Sequence, residues 1–428
     1  MKRTVEKDKT LLVDGPASVE VLSGKTNVLG ATIKRGEKLI IREGKRVPFE
    51  TGKRTVFDLM LGNGASSEEI DGSTIPSSWE TALAEIFSLR TPVTVMVMGG
   101  VDSGKTSFCT YLANEALRRK WKTVVVDADL GQSDVGPPST IGFGRINSYV
   151  RDLFEMEAES AYFVGVTSPT VAVKRVLEGL VALKKKALEV DADFLVINTD
   201  GWVEGEDARQ YKISMVDRVN PEVVVGIQRE DELAPTLNAL GKTKTVTVEA
   251  PRVAHRRSRE KRKILRELSY VKYLRNAKVR SFPLNWIKVE NAIFGVGSVP
   301  TPERMRMIND SLGRPALYCE ETPANVFVVL KKGRWVDETR IEGAEERLGK
   351  SLKVVGEGEE EGLLVALHNE RGEFLGIGVL CGVDYRRRAV KVYTPISKDV
   401  AIIRFGQIKL DKKGREIGLS TVYTNYNL

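Results

Sequence analysis

Between residues 93 and 227 the chain alternates short apolar runs with longer stretches whose apolar residues recur at three- and four-residue steps. The runs fall near 93–98 (VTVMVM), 123–127 (TVVVD), 161–166, 194–198 (FLVIN) and 222–227. Runs this short and this continuous fit strands buried on both faces, and the intervening periodicity fits amphipathic helices, one of them starting near 104. Such alternation predicts an α/β core, a parallel sheet flanked by helices on both faces. Before it, LLVD, SVEVL, KLIIREG and RTVFDLML stand between Gly-rich turns, and NGASSEEIDGSTIPSS (63–78) reads as a loop or linker. After about 284, short strand-like runs return in NVFVVLKKG, GLLVALHN, FLGIGVLCGV, AVKVYTP and VAIIRFGQIKL. The expected organisation is a β-rich domain over 1–85, the α/β core over 86–283 and a β-rich domain over 284–428. GEGEEEG at 356–362 reads as a solvated turn.

Composition narrows this little. With 428 residues, 42% hydrophobic and 29% charged, the chain can bury real cores in two to four domains. The formal charge of +8 is a modest excess, so its location matters more than its size. MKRTVEKDKT lacks the apolar core of a signal peptide, and VTVMVM is too short to span a bilayer, so no membrane association is expected. Cys109, Cys319 and Cys381 have no CxxC spacing, which implies a reducing, cytoplasmic compartment and no structural zinc. His255 and His368 cannot build a His-rich metal site, so a metal would be held by oxygens and phosphate.

The chemistry concentrates where the core strands end. VTVMVMGGVDSGKTS is a strand, then Gly99, Gly100, Val101, Asp102, Ser103, Gly104, Lys105 and Thr106, then a helix from Ser107. Glycines let such a loop curl so that successive N–H groups face phosphate oxygens, and the helix N-terminus adds partial positive charge. Lys105 would reach the β/γ-phosphates of ATP, and Thr106 would bind Mg²⁺. The next strand ends in Asp127 and Asp129, with Gln132 close behind. One carboxylate could serve the metal and the other the nucleophile, or a single aspartate could act beside a solvated neighbour. Ser168 and Thr170 follow another strand, placed either to bond a substrate phosphate or to cap the next helix. No N-K-x-D follows a later strand, so guanine specificity is unsupported.

INTDGW at 197–202 leaves Trp202 in a loop at the edge where open α/β sheets bind ligands. An exposed indole there suits a nucleobase, which offers a π-face whatever its identity. Further on, PRVAHRRSREKRKILR (251–266) opens with Pro251, suited to a helix start. Arg252, Arg256, Arg259, Lys263 and Arg266 then follow at three- and four-residue steps as one basic stripe. Phosphoryl transfer calls for at least one such arginine, to neutralise charge spreading over the transferred group.

Taken in order, Gly99–Thr106, Asp129-Leu130-Gly131-Gln132, Thr199-Asp200-Gly201-Trp202 and the basic segment from Arg252 resemble the motifs of the polynucleotide 5′-hydroxyl kinases, the family of the RNA-kinase subunit of the pre-mRNA cleavage factor. The resemblance spans essentially the whole chain. It implies ATP/Mg²⁺-dependent phosphorylation of the 5′-hydroxyl of RNA, with DNA a second acceptor, and protein partners in RNA processing. It further implies Lys105 and Asp129 as catalytic groups, Asp127 in support of the metal, and Arg252 and Arg257 as the best-matching lid arginines. Thr199, Gly201, Trp202, Ser168, Thr170 and Arg256 would contact nucleic acid. Lys261 stands where the family's pattern has an arginine. A nucleotide-bound scaffold without turnover, and a P-loop ATPase, are the alternatives.

Overall fold

Seven strands make the central sheet, in the order Ser160–Phe163, Thr140–Ile146, Thr123–Asp127, Phe194–Asn198, Val93–Gly99, Val223–Gln228 and Lys244–Glu249. A computed structural model describes residues 1–253 and 257–424. Val93–Gly99 is buried along its whole length because it lies between two parallel neighbours, Val95 facing Val196 on one side and Val223 on the other. Val95, Val97, Val125, Val196 and Val225 meet Phe108 and Leu112 of helix Lys105–Arg118 in one core. Each such side chain stabilises the fold by about 1.5–3 kcal/mol relative to exposure.

The sheet is parallel except for Thr140–Ile146, which runs antiparallel to both neighbours. Its sequence, TIGFGRI, carries two glycines and lacks the continuous apolar run of the others. Gly142 is required there, since a Cβ would run into the Val135 carbonyl. Lys244–Glu249 was likewise not expected, because as an edge strand it alternates polar and apolar residues.

Residues 63–78 are more ordered than a linker. Ser66–Asp71 pairs antiparallel with Lys9–Asp14, and Ser77 opens a helix to Phe87. Trp79, Ala82, Leu83 and Ile86 form the helix's apolar stripe, and all four sit in the core beneath the central sheet. Trp79 Nε1 donates to the Glu249 carbonyl at 2.9 Å. The N-terminal strands form a four-stranded and a five-stranded sheet around Leu11, Val13, Val19, Phe49 and Phe57. These sheets and the central sheet belong to one compact unit, Met1–Val164 with Ser168–Ser269.

The second unit comprises Gly165–Thr167 and Tyr270–Leu428. Its main sheet has seven strands, including Lys278–Pro283, Ala389–Thr394, Phe374–Asp384, Leu363–His368 and Ile402–Leu410. A separate three-stranded sheet, Ala316–Glu321, Asn325–Leu330 and Ser351–Gly356, shares a core with helices Pro302–Leu312 and Glu338–Leu348. Those helices went unread among the strand signals. The acidic run is also more than a solvated turn: Glu360 is buried, accepting backbone N–H groups of Gly358 and Val383. No helix among the described residues is long and apolar enough to cross a membrane.

Candidate active site

Gly99, Asp127, Asn198 and Gln228 end their parallel strands on one edge of the central sheet. From Gly99 the chain turns through Asp102, at φ +57°, to Gly104, at φ +98°, the cap of helix Lys105–Arg118. Glycine is needed at 104 twice over, for that backbone angle and because a Cβ would stand 2.9 Å from Pro251 Cδ. Val101 is exposed at the loop tip, and Thr106 and Ser107 are half-buried in the first helical turn.

Lys105 is only 6% exposed. Its ammonium donates to the Gly99 and Gly100 carbonyls at 2.9 and 2.7 Å. Burial pulls its pKa down, Asp129 and Asp200 oppose that, and nearby Lys212 adds to it. Ser103 Oγ is buried without a hydrogen-bond partner. A loop with an orphaned hydroxyl, a buried cation turned onto its own carbonyls and a helix N-terminus fits a polyphosphate. Among the described residues no three or more His, Cys, Asp or Glu side chains gather as a metal cage. The donors that fit Mg²⁺ are therefore the Thr106 hydroxyl and a single carboxylate, completed by phosphate and water.

The two aspartates differ sharply. Asp127 is fully buried and accepts four hydrogen bonds: from Asn198 Nδ2 at 2.9 Å and from the backbone of Asp129, Asp134 and Val135 at 3.2, 2.7 and 3.2 Å. Burial, then the charges of Asp134 and Asp129, raise its pKa to about 7. It pins the loop that follows its strand. Asp129 lies past the strand end and is half-buried. Its Oδ1 accepts from the Gly131 and Gln132 amides at 3.2 and 3.0 Å. Burial raises its pKa, and Lys105 opposes the rise. Gln132 donates through its side-chain amide to the Arg262 carbonyl at 3.1 Å, tying this loop to the lid.

Beside them stands the loop of residues 199–202. Thr199 is buried and donates to the Val97 carbonyl at 2.8 Å, closing the end of its strand against the P-loop strand. Asp200, also buried, accepts the Trp202 N–H at 2.9 Å and the Tyr211 hydroxyl at 2.8 Å. It pairs with the fully buried Lys212 at 3.1 Å. Burial lowers the Lys212 pKa, while Asp200 holds the charge. The half-buried indole of Trp202 stacks on Tyr211, ring centres 5.4 Å apart and planes 29° from parallel. Gly201 touches the P-loop: a Cβ there would stand 2.9 Å from Val101 Cα and N.

Asp200, Tyr211 and Lys212 were missed as site residues. A signal was present. Ala208, Tyr211, Lys212, Met215, Val216 and Val219 form the buried stripe of helix Glu206–Val219, and a lysine in an apolar stripe requires a buried partner.

With RNA as the acceptor, as the resemblance implies, Gly201→Ala should push this loop away from Val101 and lower RNA affinity and turnover together while ATP affinity holds. Trp202→Ala should lose about 1–3 kcal/mol of oligonucleotide binding, with partial recovery in Trp202→Phe. Titration of labelled RNA checks both. Intact RNA affinity with a lowered Tm in Trp202→Ala would mark the indole as packing alone.

The basic segment differs from its expected form. Pro251 is buried against Gly104 and does not start a helix; the helix runs from Arg259 to Tyr273. The stripe is thus confined to Arg259, Lys263 and Arg266, because Arg252 precedes the helix and Arg256 lies outside the described residues. Arg252 is exposed. Arg257 is docked: its backbone N–H and Nη1 donate to Asp102 at 2.8 and 3.2 Å, and its Nε donates to the Gly44 carbonyl at 2.9 Å. Ser168 and Thr170 are exposed, two strands from Asp127, and their hydroxyls lie 2.9 Å apart. Ser168 caps the short turn Pro169–Val171.

The N-terminal sheets reach the site through Arg42 and Lys45, which sequence reading also missed. Arg42 bonds Asp134 and Asp152 at 2.9 and 2.8 Å, and Lys45 bonds Asp134 at 2.7 Å. With Thr106, Gln132, Arg257 and Arg266 they line an open cleft beside the P-loop.

A P-loop closed by a lysine, a carboxylate beyond the neighbouring strand and a basic lid define a nucleotide-binding protein of the P-loop kinase class. Residues 99–276 match the model of the mRNA cleavage and polyadenylation factor CLP1 P-loop. The chain is 29% identical over 348 residues to a Pyrococcus furiosus protein named polyribonucleotide 5′-hydroxyl-kinase, covering 81% of this chain and 95% of that one. A namesake from Methanocaldococcus jannaschii is 28% identical, covering 81% and 94%. The Xenopus tropicalis polyribonucleotide 5′-hydroxyl-kinase Clp1 is 25% identical, covering 91% and 89%. The fold matches Clp1p as solved in its complex with Pcf11p at a TM-score of 0.64 over 96% of this chain and 97% of that one, with 11% identity.

Proposed function

We propose that this chain is a polyribonucleotide 5′-hydroxyl kinase that moves the γ-phosphate of ATP onto the free 5′-hydroxyl end of RNA. The observation that carries the reading is the contact of Gly201 with Val101, which sets an indole platform for a base beside a phosphate-binding loop. The names and cover of the archaeal relatives support it.

In this mechanism Lys105 leaves the Gly99 and Gly100 carbonyls and bonds the β/γ-phosphates. The P-loop amides and Ser103 hold the phosphate oxygens. Mg²⁺, when bound at Thr106 and Asp129, supplies charge neutralisation across the phosphates. Asp129, on the loop beyond its strand end, accepts the proton of the attacking hydroxyl. Asp127 holds the loop that presents Asp129. Trp202, braced by Tyr211, stacks on the terminal base. Arg252, the exposed lid arginine, meets the charge developing on the transferred group, while Arg257 locks the lid to Asp102. A protein partner in RNA processing belongs to the same reading, since Clp1p is solved with Pcf11p.

The test is transfer of labelled γ-phosphate to a 5′-hydroxyl RNA oligonucleotide, with a 5′-phosphorylated RNA and a 5′-hydroxyl DNA alongside. Label on the 5′-hydroxyl RNA alone, or on both 5′-hydroxyl strands, supports the kinase and fixes its acceptor range. Acceptor-independent hydrolysis would make the chain an ATPase, and nucleotide binding without either reaction would make it a scaffold. In the same assay Arg252→Ala should lower kcat by about 10³-fold with little change in the KM for ATP. Arg257→Ala should raise that KM as the lid loosens.

A further inference from the structure

The most exposed large apolar side chain among the described residues is Trp286, at 77%, in the C-terminal unit. It sits in the turn between strands Lys278–Pro283 and Lys288–Glu290, where its N–H donates to the Pro283 carbonyl at 3.0 Å. Its neighbour Ile287 is 8% exposed and packs into the C-terminal core, so the turn is anchored while the indole faces water.

A second turn lies directly beside it. Strand Lys278–Pro283 pairs antiparallel with Ala389–Thr394, Pro283 opposite Ala389, and the Leu284 N–H donates to the Arg388 carbonyl at 2.8 Å. That neighbouring turn carries Arg386, Arg387 and Arg388 in succession, all exposed. Asp384 is spent on the turn's own backbone, accepting the Arg387 N–H at 3.0 Å. Arg388 lies 4.0 Å from the buried Glu320. Arg386 and Arg387 have no ion-pair partner among the described residues, so two uncompensated guanidinium groups belong to the turn adjoining that of Trp286.

We propose that Trp286 with Arg386 and Arg387 forms a second binding site, for single-stranded RNA, outside the kinase centre. The two requirements of sequence-tolerant single-strand binding are an aromatic face for a base and cations for the flanking phosphates, and the paired turns present both. A planar indole with unpaired guanidiniums matches a strand that alternates π-faces with negative charge. This rests on the reading of the substrate as RNA. The site needs no free 5′-hydroxyl.

The test uses the full chain and a labelled single-stranded RNA of about twenty nucleotides carrying a 5′-phosphate, so that binding is read without catalysis. Trp286→Ala should weaken binding about fivefold or more, the lower bound for one stacked base. Arg386→Ala/Arg387→Ala should weaken it and reduce the slope of log affinity against log salt by about 1.4, the loss of two phosphate contacts on a single strand. In phosphate transfer both variants should raise KM for a long 5′-hydroxyl RNA, leaving kcat and the KM for ATP at parent values. Parent-like RNA affinity in both variants would overturn the site, whatever other macromolecule the turns engage. So would an equal loss in Trp335→Ala, which removes an exposed indole elsewhere in the same unit. Failure of the kinase reading looks different: the parent itself would then leave 5′-hydroxyl RNA unlabelled.

Discussion

A Lys105→Ala protein should fold as the parent does and transfer phosphate at a rate reduced on the order of 10³-fold or more. The effect is large because the ammonium is the one P-loop side-chain cation buried beside Asp129, where water screens it little. The stability cost is smaller, since the substitution removes two hydrogen bonds to loop carbonyls and leaves the central core untouched. Lys105→Arg should not rescue transfer, because a planar fork cannot occupy the volume a compact ammonium fills between Gly99 and Gly100. Single-turnover transfer alongside a melting curve checks this. Near-parent transfer in a folded Lys105→Ala protein would defeat the assignment of the phosphate site.

The second large effect separates the two carboxylates. Asp129→Asn keeps an oxygen to accept the Gly131 and Gln132 amides but loses proton affinity. Transfer should fall by about 10²–10⁴-fold while ATP still binds and Tm changes little. Asp127→Asn should do the opposite in kind. Its replacement amide would face an amide of Asn198 and backbone N–H donors that now point at an acceptor, leaving buried groups unsatisfied at about 1–3 kcal/mol. Tm should drop, and activity should fall only as the folded fraction or loop order falls. Pre-steady-state transfer, ATP binding and melting curves on both proteins distinguish the roles. Full transfer in a folded Asp129→Asn protein would remove it as the base.

Much of this architecture was legible from local pattern. The strands at 93–99, 123–127 and 194–198 declare themselves because burial on both faces selects short, nearly continuous apolar runs. The P-loop declares itself because the required backbone angles select glycine at 104. What escaped has one cause: its meaning depends on distant residues. Thr140–Ile146 hides behind glycines that only the passage of Val135 explains. Ser66–Asp71 is polar because it pairs on one side alone, at the edge of its sheet. Asp127 and Asp129 look equivalent in a row of letters, and the difference lies in the donors from Asn198 and Asp134 that surround one of them. The helix expected from Pro251 starts eight residues later because the proline is used to close over Gly104. Asp200 and Lys212 stand 12 residues apart, one in a loop and the other inside the following helix, and only the fold makes them an ion pair.

The bonds from Arg42 and Lys45 to the loop after Asp129 bear on how small this enzyme can be made. Burial works against the Asp152 carboxylate, yet Lys45 and Arg42 outweigh it and hold its pKa well below the usual range. A fragment beginning at Ser77 would keep every phosphate-binding motif and still lose the Arg42 and Lys45 counter-charges that fix Asp134 and Asp152. The N-terminal sheets therefore act as a clamp from outside the catalytic motifs, and the shortest autonomous kinase in this chain has to include them.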